Sequence, residues 1–140
     1  MILTGEINDV GAYTRMNVPN SHRLGLELTY AVAITNKLQW SSNVTLSRNK
    51  IKSFTEYIDN YDTGGQDAIT RNNTNIAFSP NLIAASTLAY KPVKQCTIEL
   101  QTKWVGKQYL DNTETKELQL KDYFLTDFNA QYEFRIAKQE

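Results

Sequence analysis

Few residues in this 140-residue chain are of types that do chemistry. His22 is the lone histidine and Cys96 the lone cysteine. A catalytic base needs a nucleophile within reach and an acid to orient it. No motif around His22 supplies either, so it reads as a surface or rim histidine. Cys96 has no second thiol, which excludes an intramolecular disulfide framework and a cysteine-based zinc cage. It reads as a structural or tolerated thiol. A single histidine likewise excludes a multi-histidine metal site. Asp59-Asn60-Tyr61-Asp62-Thr63-Gly64 has the composition of a calcium loop, but not EF-hand spacing or helical flanks. A solvated loop is the default reading there, with weak cation binding the alternative. Gly64-Gly65 lacks the strand–turn–helix setting of a phosphate cradle. Asn43-Val44-Thr45 and Asn72-Asn73-Thr74 match a glycosylation acceptor pattern, and the first falls in a strand-like stretch. Nothing assembles a nucleophile, a base and an oxyanion site. The chain is therefore expected not to be an enzyme, with no cofactor and no metal. What remains is residues that grip: Tyr57, Tyr61, Arg71, Lys107 and Tyr109 lie in long polar segments and are of types that hold ligands. They are the ligand-contact candidates.

The elements that must position these residues are read from periodicity. The dominant period is two. Leu24, Leu26, Leu28, Tyr30, Val32 and Ile34 alternate with Arg23, Gly25, Glu27, Thr29, Ala31 and Ala33. A strand sends these two sets to opposite faces, whereas a helix mixes them. After the polar turn Thr35-Asn36-Lys37, Leu38, Trp40, Val44 and Leu46 share one face, with Ser42 the exception. Two matched strands across so short a turn make a hairpin. Over 49–75 the alternation dissolves, and the stretch reads as a long polar loop whose first part, 51–57, reads as a strand extension. A loop this long is either functional or mobile. Alternation returns with Ile76, Phe78, Leu82, Ala84, Leu88 and Tyr90, where Pro80 favours a bulge or an unpaired position. A second short turn, Lys91 to Gln95, leads to Ile98, Leu100 and Trp104. Residues 106–122 form another long polar connection. Phe124, Phe128, Ala130, Tyr132, Phe134 and Ile136 share the face of the last strand. The expected fold is all-β: an up-and-down antiparallel meander of five to six long strands, the weakest of them within 9–18.

Composition narrows the class. Fifteen basic and fifteen acidic residues give zero formal charge, which argues against nucleic acid as a partner. A hydrophobic fraction of 41% is enough for order. No stretch approaches the roughly 18–20 apolar residues of a transmembrane helix. The low mean hydropathy of −0.49 leaves a membrane strand open, since such a strand is apolar only at alternate positions. Three features favour that reading over a soluble sheet. The connections alternate short and long, the habit of outer-membrane barrels. Aromatics fall in two groups, Tyr30, Trp40, Tyr90, Tyr132 and Phe134 near the short turns, and Phe78, Trp104, Phe124 and Tyr123 near the long connections, as at two membrane interfaces. The 24–34 stretch also has the roughly 9–11 residues of a tilted membrane strand. No basic n-region or apolar h-region opens the chain, so Met1 is expected either to start a cytoplasmic protein or not to be the native start.

Asn8 to Val18, followed by Ser21-His22-Arg23-Leu24-Gly25-Leu26-Glu27-Leu28, resembles late barrel strands of TonB-dependent outer-membrane receptors. Trp104-Val105-Gly106-Lys107-Gln108-Tyr109-Leu110-Asp111-Asn112-Thr113, then Tyr123-Phe124-Leu125-Thr126-Asp127, is the more specific stretch, similar to a strand end, loop start and strand opening in those receptors. The resemblance covers nearly the whole chain. It implies a barrel of about 22 strands around a plug, located in the bacterial outer membrane and importing iron chelates, vitamins or glycans with energy coupled through the periplasm. It implies as partners outer-membrane lipid, a plug domain of the same parent chain and the imported small ligand. The plug, the TonB box and the closing strands with their terminal aromatic have no counterpart here. Residues 1–140 are therefore expected to be a single sheet segment excised from the C-terminal part of such a barrel, with Met1 added. The polar row Arg23, Glu27, Gln39, Asn43, Glu99, Gln101, Lys103, Asp127, Asn129, Gln131, Glu133 and Arg135 is expected to be a lumen wall, with ligand contact the sharper alternative. The competing function is a soluble lipocalin-like small-molecule carrier, whose apolar face would enclose the ligand; that barrel needs about eight strands. A fragment whose apolar face was made for lipid is expected to self-associate in water.

Overall fold

The computed structural model describes residues 1–134; Arg135 and Ile136, expected on the two faces of the last strand, lie outside the described residues. The described chain is all-β. In order it runs β1 (Ile2–Ile7), β2 (Tyr13–Met16), β3 (Ser21–Thr35), β4 (Leu38–Asn60), β5 (Gly65–Asn75), β6 (Leu82–Tyr90), β7 (Cys96–Val105), β8 (Gln108–Tyr109), β9 (Gln119–Leu120) and β10 (Tyr123–Tyr132), with one 3-10 turn at Lys116–Leu118. The main sheet has the spatial order β10-β7-β6-β4-β3, and β5 also pairs β4. This is the expected antiparallel meander. Among the described residues no sheet closes on itself. Two compact units emerge. β3 and β4 each contribute one part to one unit and one part to the other.

The first unit comprises Leu26–Leu46, Leu82–Gly106 and the chain from Asp122. It is a single layer of sheet. Its register puts Trp40, Leu88, Leu100 and Phe128 in one cross-strand row, and Val44, Ala84, Trp104 and Phe124 in another. The Tyr30 and Trp40 rings meet edge to face at 5.4 Å, which sets the apolar side of β3 on the same face. Of the residues expected to share one face, Leu26, Leu28, Trp40, Leu88, Leu100, Phe128 and Tyr132 do so, while Leu24, also expected there, falls in the part of β3 that belongs to the other unit. Nothing among the described residues covers that face: Leu26 is 55% exposed and Phe128 70%. The opposite face carries Gln39, Ala89, Glu99 and Asn129 in one row and Ser41, Thr87, Gln101 and Asp127 in the next. Tyr123 pairs Val105 on that second face, so it does not join the aromatic group of Trp104 and Phe124.

One row of the apolar face is hydroxylic: Ser42, Ser86, Thr102 and Thr126. Its hydroxyls are mostly used within the sheet. Ser42 Oγ donates to the Ala85 carbonyl at 2.9 Å, Thr102 Oγ1 to that of Ser86 at 3.5 Å, and Ser86 Oγ accepts from Trp40 Nε1 at 2.8 Å.

The second unit comprises Met1–Gly25, Ser47–Asn81 and Lys107–Lys121. It has a core: Ile51 is 1% exposed, with Phe54 and Tyr109 also buried. Here several expectations are corrected. The stretch 49–75 is not a loop. β4 continues to Asn60 and pairs β5 from Lys50↔Asn75 to Asn60↔Gly65. Alternation fails to reveal this hairpin because both of its faces carry polar residues, and β4 buries Ile51 on one side and Phe54 on the other. Its turn is chemically specified: Asn60 Oδ1 accepts from the backbone N–H of Asp62 and of Thr63, and Gly64 takes a left-handed φ of +72°. The stretch 76–81 is not strand either. Phe78 has φ +52°, and Pro80 lies before the start of β6, in the unpaired one of the two positions expected for it. The weak strand expected within 9–18 is β2, but its partner is β1, in a separate two-stranded ribbon.

Candidate functional site

The ribbon of β1 and β2 is fastened to the β4–β5 hairpin by polar side chains. The Gln66 amide meets β1 twice, Nε2 donating to the Gly5 carbonyl at 2.7 Å and Oε1 accepting from the Ile7 N–H at 3.1 Å. Gln66 Nε2 also donates to Asp59 Oδ1, and the Tyr13 hydroxyl donates to Asp59 Oδ2 at 3.1 Å. That hydrogen bond, and then the carboxylate's charge, push the Tyr13 phenol above its ordinary value. Gly5 is required at the crossing. A Cβ built there would lie 2.2 Å from the Tyr57 carbonyl oxygen, and its φ is +85°.

This fastening leaves a cavity of about 310 Å³ in the unit. β1 supplies Leu3, Thr4 and Gly5; β4 supplies Phe54, Glu56 and Tyr57; Ala77 and Leu110 to Thr113 close it. The last segment is shaped by its own side chains. Asp111 Oδ1 accepts from the Thr113 N–H at 3.0 Å, and its carboxylate also takes the Thr113 hydroxyl. Asn112 Oδ1 accepts from the Ala77 N–H at 2.8 Å. Glu56 Oε2 receives both Nε and Nη2 of Arg71 at 2.7 Å, a diagonal cross-strand pair on the hairpin. No lysine, arginine or histidine side chain lines the cavity. Chemically it is a mixed surface of aliphatic and aromatic walls with carboxylate, amide and hydroxyl groups.

The five residues expected to contact ligand are dispersed unevenly. Tyr57 lines the cavity, and Arg71 holds its wall residue Glu56. Tyr109 is buried, and the next residue, Leu110, lines the cavity. Tyr61 stands at the hairpin tip, 92% exposed. Lys107 is exposed, and neither it nor Tyr61 lines the cavity. Sequence reasoning missed Thr4, Glu56, Asp111, Asn112 and Thr113. The run Asp111-Asn112-Thr113 did carry a signal, since such residues fold loops through side-chain-to-backbone hydrogen bonds. Comparison with models of protein families, with curated proteins and with solved structures finds no match to this chain.

Proposed function

We propose that the chain is part of the barrel wall of an outer-membrane TonB-dependent receptor, one that imports a small nutrient such as an iron chelate across the bacterial outer membrane. The observation that carries this reading is the one-layer sheet whose apolar face, crossed by one hydroxylic row, has no covering layer among the described residues. Burying such a face in lipid removes it from water without a second layer of protein. The dimensions fit. From Leu46 to Leu38 is eight residue steps and from Ile98 to Cys96 two more, about 33 Å along the strands. At a tilt of about 40° that is an apolar band about 25 Å tall, the height typical of outer-membrane barrels. Tyr90 and Tyr132 sit toward one end of the band and Trp104 with Phe124 toward the other, as interfacial aromatics do, while Trp40 lies near the middle in the row of Leu88, Leu100 and Phe128. The opposite face carries mostly small and polar side chains, with Ile83, Val105, Tyr123 and Leu125 toward one end. A hollow of about 400 Å³ beside Ala31, Ala33, Gln39, Thr87, Ala89 and Glu99 gives a plug domain of the parent chain room to pack. On this reading the second unit is the part that meets the imported ligand.

Tryptophan fluorescence in vesicles tests the proposal. Trp40 and Trp104 are the two tryptophans, Trp40 one residue step from the middle of the band and Trp104 near one end. Brominated phospholipids should quench both, Trp104 more strongly when the bromine lies near the headgroups and Trp40 more strongly when it lies toward the bilayer centre. In detergent-free buffer the same chain should self-associate and bind an apolar-surface dye. A stable 16.0 kDa monomer with no dye binding and no quenching would overturn the membrane reading and favour the lipocalin-like carrier.

A further inference from the structure

We infer that the short-turn end of the one-layer sheet is a docking surface for the headgroups of anionic phospholipid in a bilayer, held by Lys37, Lys91 and Lys94. The inference rests on the membrane reading above and adds to it which lipid the sheet selects.

Register brings the three lysines together. Lys37 immediately precedes β4, Lys91 immediately follows β6, and Lys94 stands two residues before β7. β4, β6 and β7 are neighbours in the sheet. The two turns also touch, the Lys91 N–H donating to the Lys37 carbonyl at 2.7 Å. Laterally the three positions span two strand spacings, about 10 Å. That is about one Debye length at 0.1 M salt, so their potentials add. All three are exposed, and neither ion pair found among the described residues involves them. Glu133, whose N–H donates to the Gln95 carbonyl, is the one carboxylate at this end among the described residues. Glu99 stands farther in, in the row of Gln39 and Ala89 on the opposite face. Three ammonium groups against one carboxylate leave two net positive charges.

Charge alone would suit any anion, but its surroundings favour a bilayer. Val93 is exposed in the same turn as Lys91 and Lys94. Tyr90 and Tyr132, both exposed, stand where the apolar face reaches this end. A free phosphate or a nucleic acid gains nothing from these side chains. A bilayer takes tyrosine at headgroup level. It also lets lysine lay its methylene stem along apolar surface while the ammonium reaches a phosphate. Each lysine near an anionic membrane surface strengthens binding about fivefold, so two net charges give about 25-fold.

The test uses the full chain with vesicles of phosphatidylcholine, alone or mixed equally with phosphatidylglycerol. Partitioning into the anionic vesicles should exceed that into the neutral ones by about 25-fold at low salt, and the difference should fade as salt rises. The chain has zero formal net charge, so attraction of the molecule as a whole does not produce it. Lys37→Gln, Lys91→Gln and Lys94→Gln together should bring the ratio close to one. Lys52→Gln, Lys116→Gln and Lys121→Gln remove the same charge from exposed positions of the other unit and should leave the ratio within about twofold, their charges being screened from the turns. In the unsubstituted, isotopically labelled chain, the amide resonances of Lys37, Lys91 and Lys94 should move between neutral and anionic bicelles, and those of Lys52, Lys116 and Lys121 should not. Equal partitioning into the two vesicles, or a preference lost with the second triple rather than the first, overturns the inference. Tryptophan quenching separates the two failures: quenching without an anionic preference overturns this inference alone, and no quenching in either vesicle overturns the membrane reading with it.

Discussion

The two units of this chain solve the burial of apolar side chains in opposite ways. One has ordinary strand alternation and, among the described residues, only Val105 buried: most of its large side chains stand on one face of a single layer. The other has poor alternation and a core, with Ile51, Phe54 and Tyr109 buried. Regular alternation only sorts residues between two faces. Whether the apolar face finds protein, lipid or water depends on what lies beyond it. The irregular unit owes its order to specific contacts: Gly5 against Tyr57, Gln66 on the backbone of β1, and Arg71 on Glu56.

That contrast can be broken most directly by truncating matched large side chains. Phe54→Ala should cost about 3–5 kcal/mol in chemical denaturation, the range for a buried phenylalanine. Phe128→Ala should change stability in water by less than about 0.5 kcal/mol, as for an exposed residue. Equal losses would mean that the one-layer sheet has a protein cover. The second substitution reverses the roles of the units. Leu100→Arg should lower membrane partitioning by about 2–4 kcal/mol if the row lies at mid-bilayer, and sedimentation in buffer should show less self-association. Gly5→Ala comes next. Its methyl would meet a backbone oxygen and its φ is left-handed, so about 1–3 kcal/mol should be lost, with amide exchange accelerating in β1 and β2. The smallest effect is set by pH. Tyr13 has its pKa raised in the folded state by Asp59. Its contribution is present below the unfolded tyrosine value and is lost as pH rises through the folded value. Chemical shifts of β2 should therefore move in alkaline buffer, and Asp59→Asn should shift that change to lower pH.

How far the sequence could be read divides along the same line. The meander, the hairpin from β3 to β4 and the shared parity of Trp40, Leu88, Leu100 and Phe128 follow from period-two alternation, because in a one-layer sheet nothing competes with it. The β4–β5 hairpin was hidden because Asn, Thr and Asp populate both of its faces, so its pairing rests on cross-strand neighbours and a well-formed turn at Asn60 to Gly64. The cavity was hidden further still. Leu3, Glu56 and Asp111 lie more than fifty residues apart in sequence, and no local pattern announces their meeting. Tyr57 was legible only as a residue type, and Tyr109 shows that the same type in the same kind of segment is equally able to serve as core.

If the apolar face lies against lipid, as proposed, the hydroxylic row across it bears on how firmly the sheet would be held at one depth. A hydroxyl without a partner in hydrocarbon would draw water or pull toward a headgroup. Ser42, Ser86 and Thr102 instead spend their hydrogen bonds on the sheet itself. On the proposed membrane reading this row would offer a bilayer few polar anchors, Thr126 being the one member with no such bond among the described residues. On that reading vertical position would be left to the aromatics toward the two ends of the band, and a thicker or thinner membrane would slide or tilt the sheet without breaking these hydrogen bonds.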